Sequence, residues 1–177
     1  DPALMAALAP DQTRYVSIDA VNHVIEAATS TVSNPLAVLL ARETIRLVHT
    51  WLPKALENPA NLRARYELCF AALQAGVAFD NGLLHVTHAL EHPLSAVCPQ
   101  LAHGLGLAVL LPAVILECYP ARPGLLAHIL QPLAPDLQGV PAEAHEAARA
   151  VEAWLAAVGV PQKLEDIGVQ ETDVPRF

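Results

Sequence analysis

The 177-residue chain has no basic stripe. Its ten Lys and Arg are scattered among eighteen Asp and Glu, for a formal net charge of −8. That argues against nucleic acid, because phosphate binding needs clustered positive charge. Cysteine is scarce: Cys69, Cys98 and Cys118 lie far apart with no C-x-x-C, so neither a disulfide framework nor a thiolate zinc site is indicated, and a reducing cytoplasm is the expected location. The longest apolar stretch, from Leu101 to Leu116, is interrupted by His103 and Pro112 and falls short of the roughly 18 to 20 residues a spanning helix needs, so no membrane partner is expected. The opening Asp1-Pro2-Ala3 lacks the basic and apolar tracts of a signal peptide, and the chain reads as an excerpted or processed polypeptide. Internal repeats, low-complexity runs and dividing linkers are also missing, which makes residues 1–177 a single expected domain.

What is present is Ala, Leu and punctuation. Hydrophobic residues make up 54% and charged residues 16%, the balance of a compact chain. Strand-like alternation is hard to find, and an all-α helical bundle is expected. Ser17 is expected to cap a first helix that buries Ile18, Val21, Val24, Ile25 and Ala28 and ends near Ser30. Asn34-Pro35 supplies an N-cap with Pro at the first helical position, opening a long helix that Pro53 stops or bends. Asn61 caps the next, with Leu62, Tyr66, Leu68, Ala72 and Val77 at helical spacing. A fourth is expected from Leu83 to about Leu94, and a fifth from Ala102, kinked at Pro112. Residues 125–133 and 141–158 read as two more, the last stopped by Gly159 and Pro161. The tail from Lys163 holds at most one further turn.

The chemistry concentrates in histidine. Of eight His residues, four (His85, His88, His92 and His103) fall between Leu84 and Gly104. Buried imidazoles need partners, so a helix rarely spends so many of them on a core. Asp19 and His23, four residues apart, project from one helix face within reach of a common ion. His103-Gly104 stands at a helix start, where the Gly permits close approach. Carboxylate and imidazole donors suit Fe(II) or Zn, and a set smaller than the metal accepts leaves a place for substrate oxygen. Two decoys compete. Gly104-Leu105-Gly106 mimics a dinucleotide fingerprint, but no strand precedes it and the third Gly is missing. His88-Ala89-Leu90-Glu91-His92 satisfies H-x-x-E-H, the inverted zinc-peptidase signature with Glu91 as base, but that reading leaves Asp19, His23 and His103 without a role.

Together these segments resemble the iron-containing alcohol dehydrogenases, in the superfamily that also holds glycerol dehydrogenase and dehydroquinate synthase. Residues 17–27 are similar to the family's G-M-D-A-L-x-H-A-I-E-A, and Asn34-Pro35-Leu36 to its N-P-x. His88-Ala89-Leu90-Glu91-His92-Pro93-Leu94, His103-Gly104 and Leu111-Pro112-Ala113-Val114 resemble H-A-x-x-H-P-L, H-G and L-P-x-V. The resemblance spans nearly the whole chain. It implies the fold of the family's C-terminal metal-binding domain, with Asp19, His23, His88 and His103 as metal ligands and His92 as a proton-relaying residue near the substrate. It implies Fe(2+), with Zn(2+) as the alternative, and metal-assisted hydride exchange between a small alcohol or aldehyde and NAD or NADP. The nucleotide would be bound by an N-terminal domain that this chain does not contain, so the isolated chain is expected to be inactive.

The sequence departs from the pattern at several points. Glu91 replaces a small residue, His85 replaces Gly, Ser95-Ala96 replaces a Gly pair, and the gap before His103 is one residue longer, with no Pro ahead of it. His85 is expected to be an accessory polar group and His49, His128 and His145 to be surface residues. The competing readings are the peptidase and a non-enzymatic helical scaffold with a vestigial metal site. A homo-oligomer is expected, because an apolar chain without its partner domain exposes surface that needs covering.

Overall fold

The computed structural model describes residues 1–170 and 173. Seven α-helices account for most of them: α1 (Pro10–Thr29), α2 (Pro35–Glu57), α3 (Leu62–Gly82), α4 (Val86–Val97), α5 (His103–Cys118), α6 (Pro123–Leu130) and α7 (Ala144–Ala157). Short 3-10 turns lie at Pro2–Met5, Tyr119–Ala121, Pro141–Glu143 and Glu165–Ile167. No strand occurs among the described residues, so the all-α expectation holds.

Helix α1 runs through the centre, packed on α2, α3 and α5, while α5 also meets α4 and α7. The apolar side expected of it, Ile18, Val21, Val24, Ile25 and Ala28, is buried. With Ile45, Leu52, Leu111, Ile115, Leu126 and Ile129 these residues belong to one contiguous core. Each large aliphatic side chain buried there stabilises the fold by about 1.5–3 kcal/mol.

Several boundaries differ from the expectation. Helix α1 starts at Pro10 rather than Ser17. Pro10 takes the first helical position, where its missing N–H costs nothing, and the Ser17 hydroxyl donates back to the Thr13 carbonyl at 2.8 Å. The caps at Asn34 and Asn61 are as expected, each side-chain oxygen accepting backbone N–H groups of the next helix. Pro53, Pro93 and Pro112 all lie inside continuing helices, since a single lost backbone bond is outweighed by the burial of residues on either side of each Pro, such as Leu52 and Ala55, Glu91 and Leu94, and Leu111 and Val114. The first of these therefore does not stop α2, and α4 extends to Val97.

Helix α4 begins at Val86, three residues late, because Leu83 adopts φ +63° and ends α3. The seventh expected helix is divided into the Pro141–Glu143 turn and α7. Of the tail, Glu165–Ile167 forms the single expected turn, and residues 171–172 and 174–177 lie outside the described residues.

Helix α3 turns its small residues inward. Its bulky residues Leu62, Tyr66, Phe70, Leu73 and Val77 are exposed, and it buries Ala64, Ala71, Ala75 and Ala78 instead. Small residues let its backbone lie close to α1 and α2, and the expected helical spacing holds.

The apolar run that the sequence left short of spanning length reaches 19 residues, His103–Ala121, with mean hydropathy 1.7. It passes for a membrane span by length and composition, because α5 continues through Pro112 into the following 3-10 turn. In the fold it is the packed helix between α1, α4 and α7.

Candidate metal centre

Asp19 and His23 sit one turn apart on α1, His88 on the first turn of α4, and His103 at the first residue of α5. The bundle brings these three helices together at one end, and the approach of α5 depends on Gly104. A Cβ there would lie 2.2 Å from the Tyr15 carbonyl oxygen of α1, so only glycine allows the backbone contact that sets His103 beside Asp19.

Asp19 Oδ1 stands 3.5 Å from His88 Nε2 and 3.9 Å from His103 Nε2. Those separations are too long for hydrogen bonds. They match ligand atoms that share an ion, since donors about 2.0–2.2 Å from one cation stand roughly 3–4 Å apart. His88 Nε2 is a buried atom with no hydrogen-bond partner, and Asp19 Oδ1, also buried, has besides these two nitrogens only the ion-pair contact of His23 Nδ1 at 2.8 Å. Such an orphan is rare and needs an explanation, and a cation between the two supplies one. Asp19, His23 and His88 each offer a donor within 4.8 Å of the others.

Each histidine has its other nitrogen engaged. His23 Nδ1–H donates to the Asp19 carbonyl at 2.8 Å, His88 Nδ1–H to Glu26 and His103 Nδ1–H to Glu91. A ring whose Nδ1 carries the donated proton presents a bare Nε2. Asp19, His23 and His88 are thus brought into one cluster, aimed from behind; His103 reaches it through Nε2, 3.9 Å from Asp19 Oδ1, and also forms a second group of donors with Glu91 and His92.

Glu26 was not singled out from the sequence. Its carboxylate is fully buried, and one oxygen accepts the backbone N–H groups of His85 at 3.2 Å, Thr87 at 2.5 Å and His88 at 3.4 Å. These are donors left over at the start of α4, so a side chain of α1 caps α4 while its other oxygen holds the His88 ring. A signal was available: a carboxylate between Ile25 and Ala27 on an apolar helix face must have a partner.

The electrostatics follow from this packing. Burial alone would raise the Asp19 carboxyl, but the His23 and His88 imidazoles and the charge of His103 hold it well below its ordinary value. Burial would depress His88, yet Asp19 and Glu26 push it up to about 9. Burial would raise Glu26 too, and the contacts with His88 and Thr87 keep it low.

The remaining histidines divide clearly. His92 is exposed at the rim, its ring 6.1 Å from that of His88 and 5.7 Å from that of His103. His85 turns away to Thr29, whose hydroxyl lies 2.8 Å from its Nε2, which fits an accessory polar role. His49, His128 and His145 are exposed, as expected. Glu91, the base required by the peptidase reading, is fully buried with both oxygens taken, by Ser95 and His103. It has no room to activate a water.

The model of the Fe-containing alcohol dehydrogenase family, C-terminal, matches residues 13–177. The chain belongs to the iron-containing alcohol dehydrogenase family. It is 54% identical over 175 residues to a long-chain primary alcohol dehydrogenase of Thermoanaerobacter ethanolicus, covering 99% of this chain and 44% of that protein. It is 34% identical to a 1,3-propanediol dehydrogenase of Klebsiella pneumoniae, covering 99% of this chain and 46% of that one. Among solved structures, a 1,3-propanediol oxidoreductase superposes with a TM-score of 0.90 at 35% identity, over 99% of this chain and 46% of the other. An alcohol dehydrogenase from Oenococcus oeni gives 0.90 at 28%, over 98% and 45%. The chain therefore spans less than half the length of these relatives, and its fold is that of the family's C-terminal part.

Proposed function

We propose that this chain is the metal-binding, catalytic part of an NAD(P)-linked, iron-dependent alcohol dehydrogenase that oxidises a small alcohol or reduces an aldehyde or ketone. The observation that carries the reading is the unpartnered, buried His88 Nε2, 3.5 Å from the buried Asp19 Oδ1, with His103 Nε2 3.9 Å from the same oxygen. A divalent cation held there supplies Lewis acidity towards an alcohol or carbonyl oxygen.

The chain's own residues do the rest. Asp19, His23, His88 and His103 bind the cation, and Glu26 fixes the ring of His88. His92, exposed and one turn from His88, is positioned to move a proton between substrate and solvent without ligating. No strand-linked phosphate loop for a nicotinamide occurs among the described residues, and the nucleotide site is assigned to the part of the enzyme outside these residues. Fe(2+) is preferred on family grounds, and one Asp with three His also accepts Zn(2+). A cytoplasmic location and self-association belong to the same proposal.

Metal analysis of anaerobically purified protein tests it. About one iron or zinc per chain is expected, lost in Asp19→Ala and in His103→Ala. Full metal retention by both variants would overturn the ligand assignment.

A further inference from the structure

We propose that Glu91 is a positioning residue that, through Nδ1 of His103, sets how tightly the site grips its cation; this rests on the metal reading above. Among the described residues, the bond to Glu91 is the only hydrogen bond to the His103 ring. That ring is the most exposed of the three ligand imidazoles, with 41% of its side chain open to solvent against 21% for His23 and 5% for His88. It sits at the end of a loop, on the first turn of α5. Without a second tether, its torsions would carry Nε2 out of the ligand set.

The carboxylate is built into its place. Glu91 is fully buried on α4, one oxygen accepting the Ser95 hydroxyl and the other His103 Nδ1–H. The space for it exists because position 106 has no side chain: a Cβ at Gly106 would lie 2.8 Å from Glu91 Oε1 and 2.9 Å from its Cγ. Burying a carboxylate costs several kcal/mol unless it is well paired, and an apolar residue here would pack against α5 without that cost.

The pairing has a consequence beyond packing. A carboxylate behind an imidazole locks the Nδ1–H tautomer, fixes the ring plane and raises the basicity of Nε2, and such partners typically govern metal affinity by about 10–100-fold. Glu91 and Ser95 are two of the points at which this sequence leaves the family pattern. The structure shows them bonded to each other, so the two departures make one device.

Chelator competition with Zn(2+) and Co(2+) on the full 177-residue chain tests the inference. Glu91→Gln keeps the size and an acceptor oxygen but loses the charge, and about 10-fold weaker binding is expected; Glu91→Ala should approach about 100-fold. Ser95→Ala should fall a few-fold, and Gly106→Ala should weaken binding by displacing the carboxylate. Loss of His103 from the ligand set should also change the visible absorption of the Co(2+) form in Glu91→Ala. The thermal midpoint of metal-free Glu91→Gln should match the unsubstituted chain, which separates affinity from stability. If Glu91→Ala does not fold, Glu91→Gln and Ser95→Ala carry the test. Binding within twofold in Glu91→Gln and Ser95→Ala, beside tight binding by the unsubstituted chain, overturns this inference alone. An unsubstituted chain that holds no ion overturns it together with the metal reading.

Discussion

The deep half of the site and its rim are built by different means. On the deep side His88 is almost fully buried, and its carboxylate partner Glu26 accepts three backbone N–H groups as well as the ring. At the rim His103 is far more exposed, and its partner Glu91 is held by side chains alone, Ser95 and His103 itself. A carboxylate bound to backbone is fixed as soon as α1 and α4 pack, whereas one bound to side chains is fixed only by the residues chosen around it. The deep half is therefore part of the fold, and the rim is adjustable without rebuilding it.

The largest effect expected of that contrast is on stability. Glu26→Ala removes the cap of α4 and leaves buried N–H groups and the His88 ring unpaired, which should cost about 3–5 kcal/mol. Denaturant unfolding of the metal-free chain measures it, and His103→Ala at the rim, which leaves the buried Glu91 carboxylate with Ser95 alone, should cost less, about 1–3 kcal/mol, in the same experiment. Equal losses would erase the distinction between the two halves.

Next in size is a pH dependence. In the metal-free chain His88 is raised to about 9 by Asp19 and Glu26, so its protonated form stabilises the fold. That contribution is complete below the unfolded value of about 6.5 and is lost as the pH climbs through about 9, on the order of 3 kcal/mol in all. Saturating divalent cation should reverse the trend, because protons and metal compete for the same Nε2. Thermal unfolding from pH 6 to 9.5 with and without Zn(2+) checks both signs. A metal-free chain that gains stability over this range would contradict the charged cluster.

The smallest expected effect on metal and fold is that of His92→Ala. The residue is exposed and makes no hydrogen bond among the described residues, so cation affinity and melting should stay within error. Turnover by the full-length enzyme should fall about 10²–10⁴-fold, the usual contribution of a proton-transfer group. Loss of metal instead would move His92 from the rim into the ligand set.

Much of this was readable from local signals. Asn34-Pro35 and Asn61 marked helix starts through side-chain geometry that needs no tertiary context, and α1 showed its buried face in the order of its aliphatics. Asp19 with His23, and the crowding of His88, His92 and His103, marked the site because those residue types have few uses in an apolar helix. Other features escaped. The inward face of α3 was not legible, because helical periodicity says which residues share a face and not which face meets a neighbour. The start of α4 was misplaced because its cap comes from Glu26, sixty residues away in sequence.

Taken alone, then, the order of residues determined that the chain would be helical, where α2, α3 and α5 would begin, and which side chains could hold a cation, since propensity, capping and donor chemistry are local properties. Only the packed bundle decided that Asp19, His88 and His103 face one another and that Glu26 and Glu91 stand behind the two histidines. Both rest on the distance between helix backbones, which Gly104 and the alanines of α3 allow and which no single segment contains.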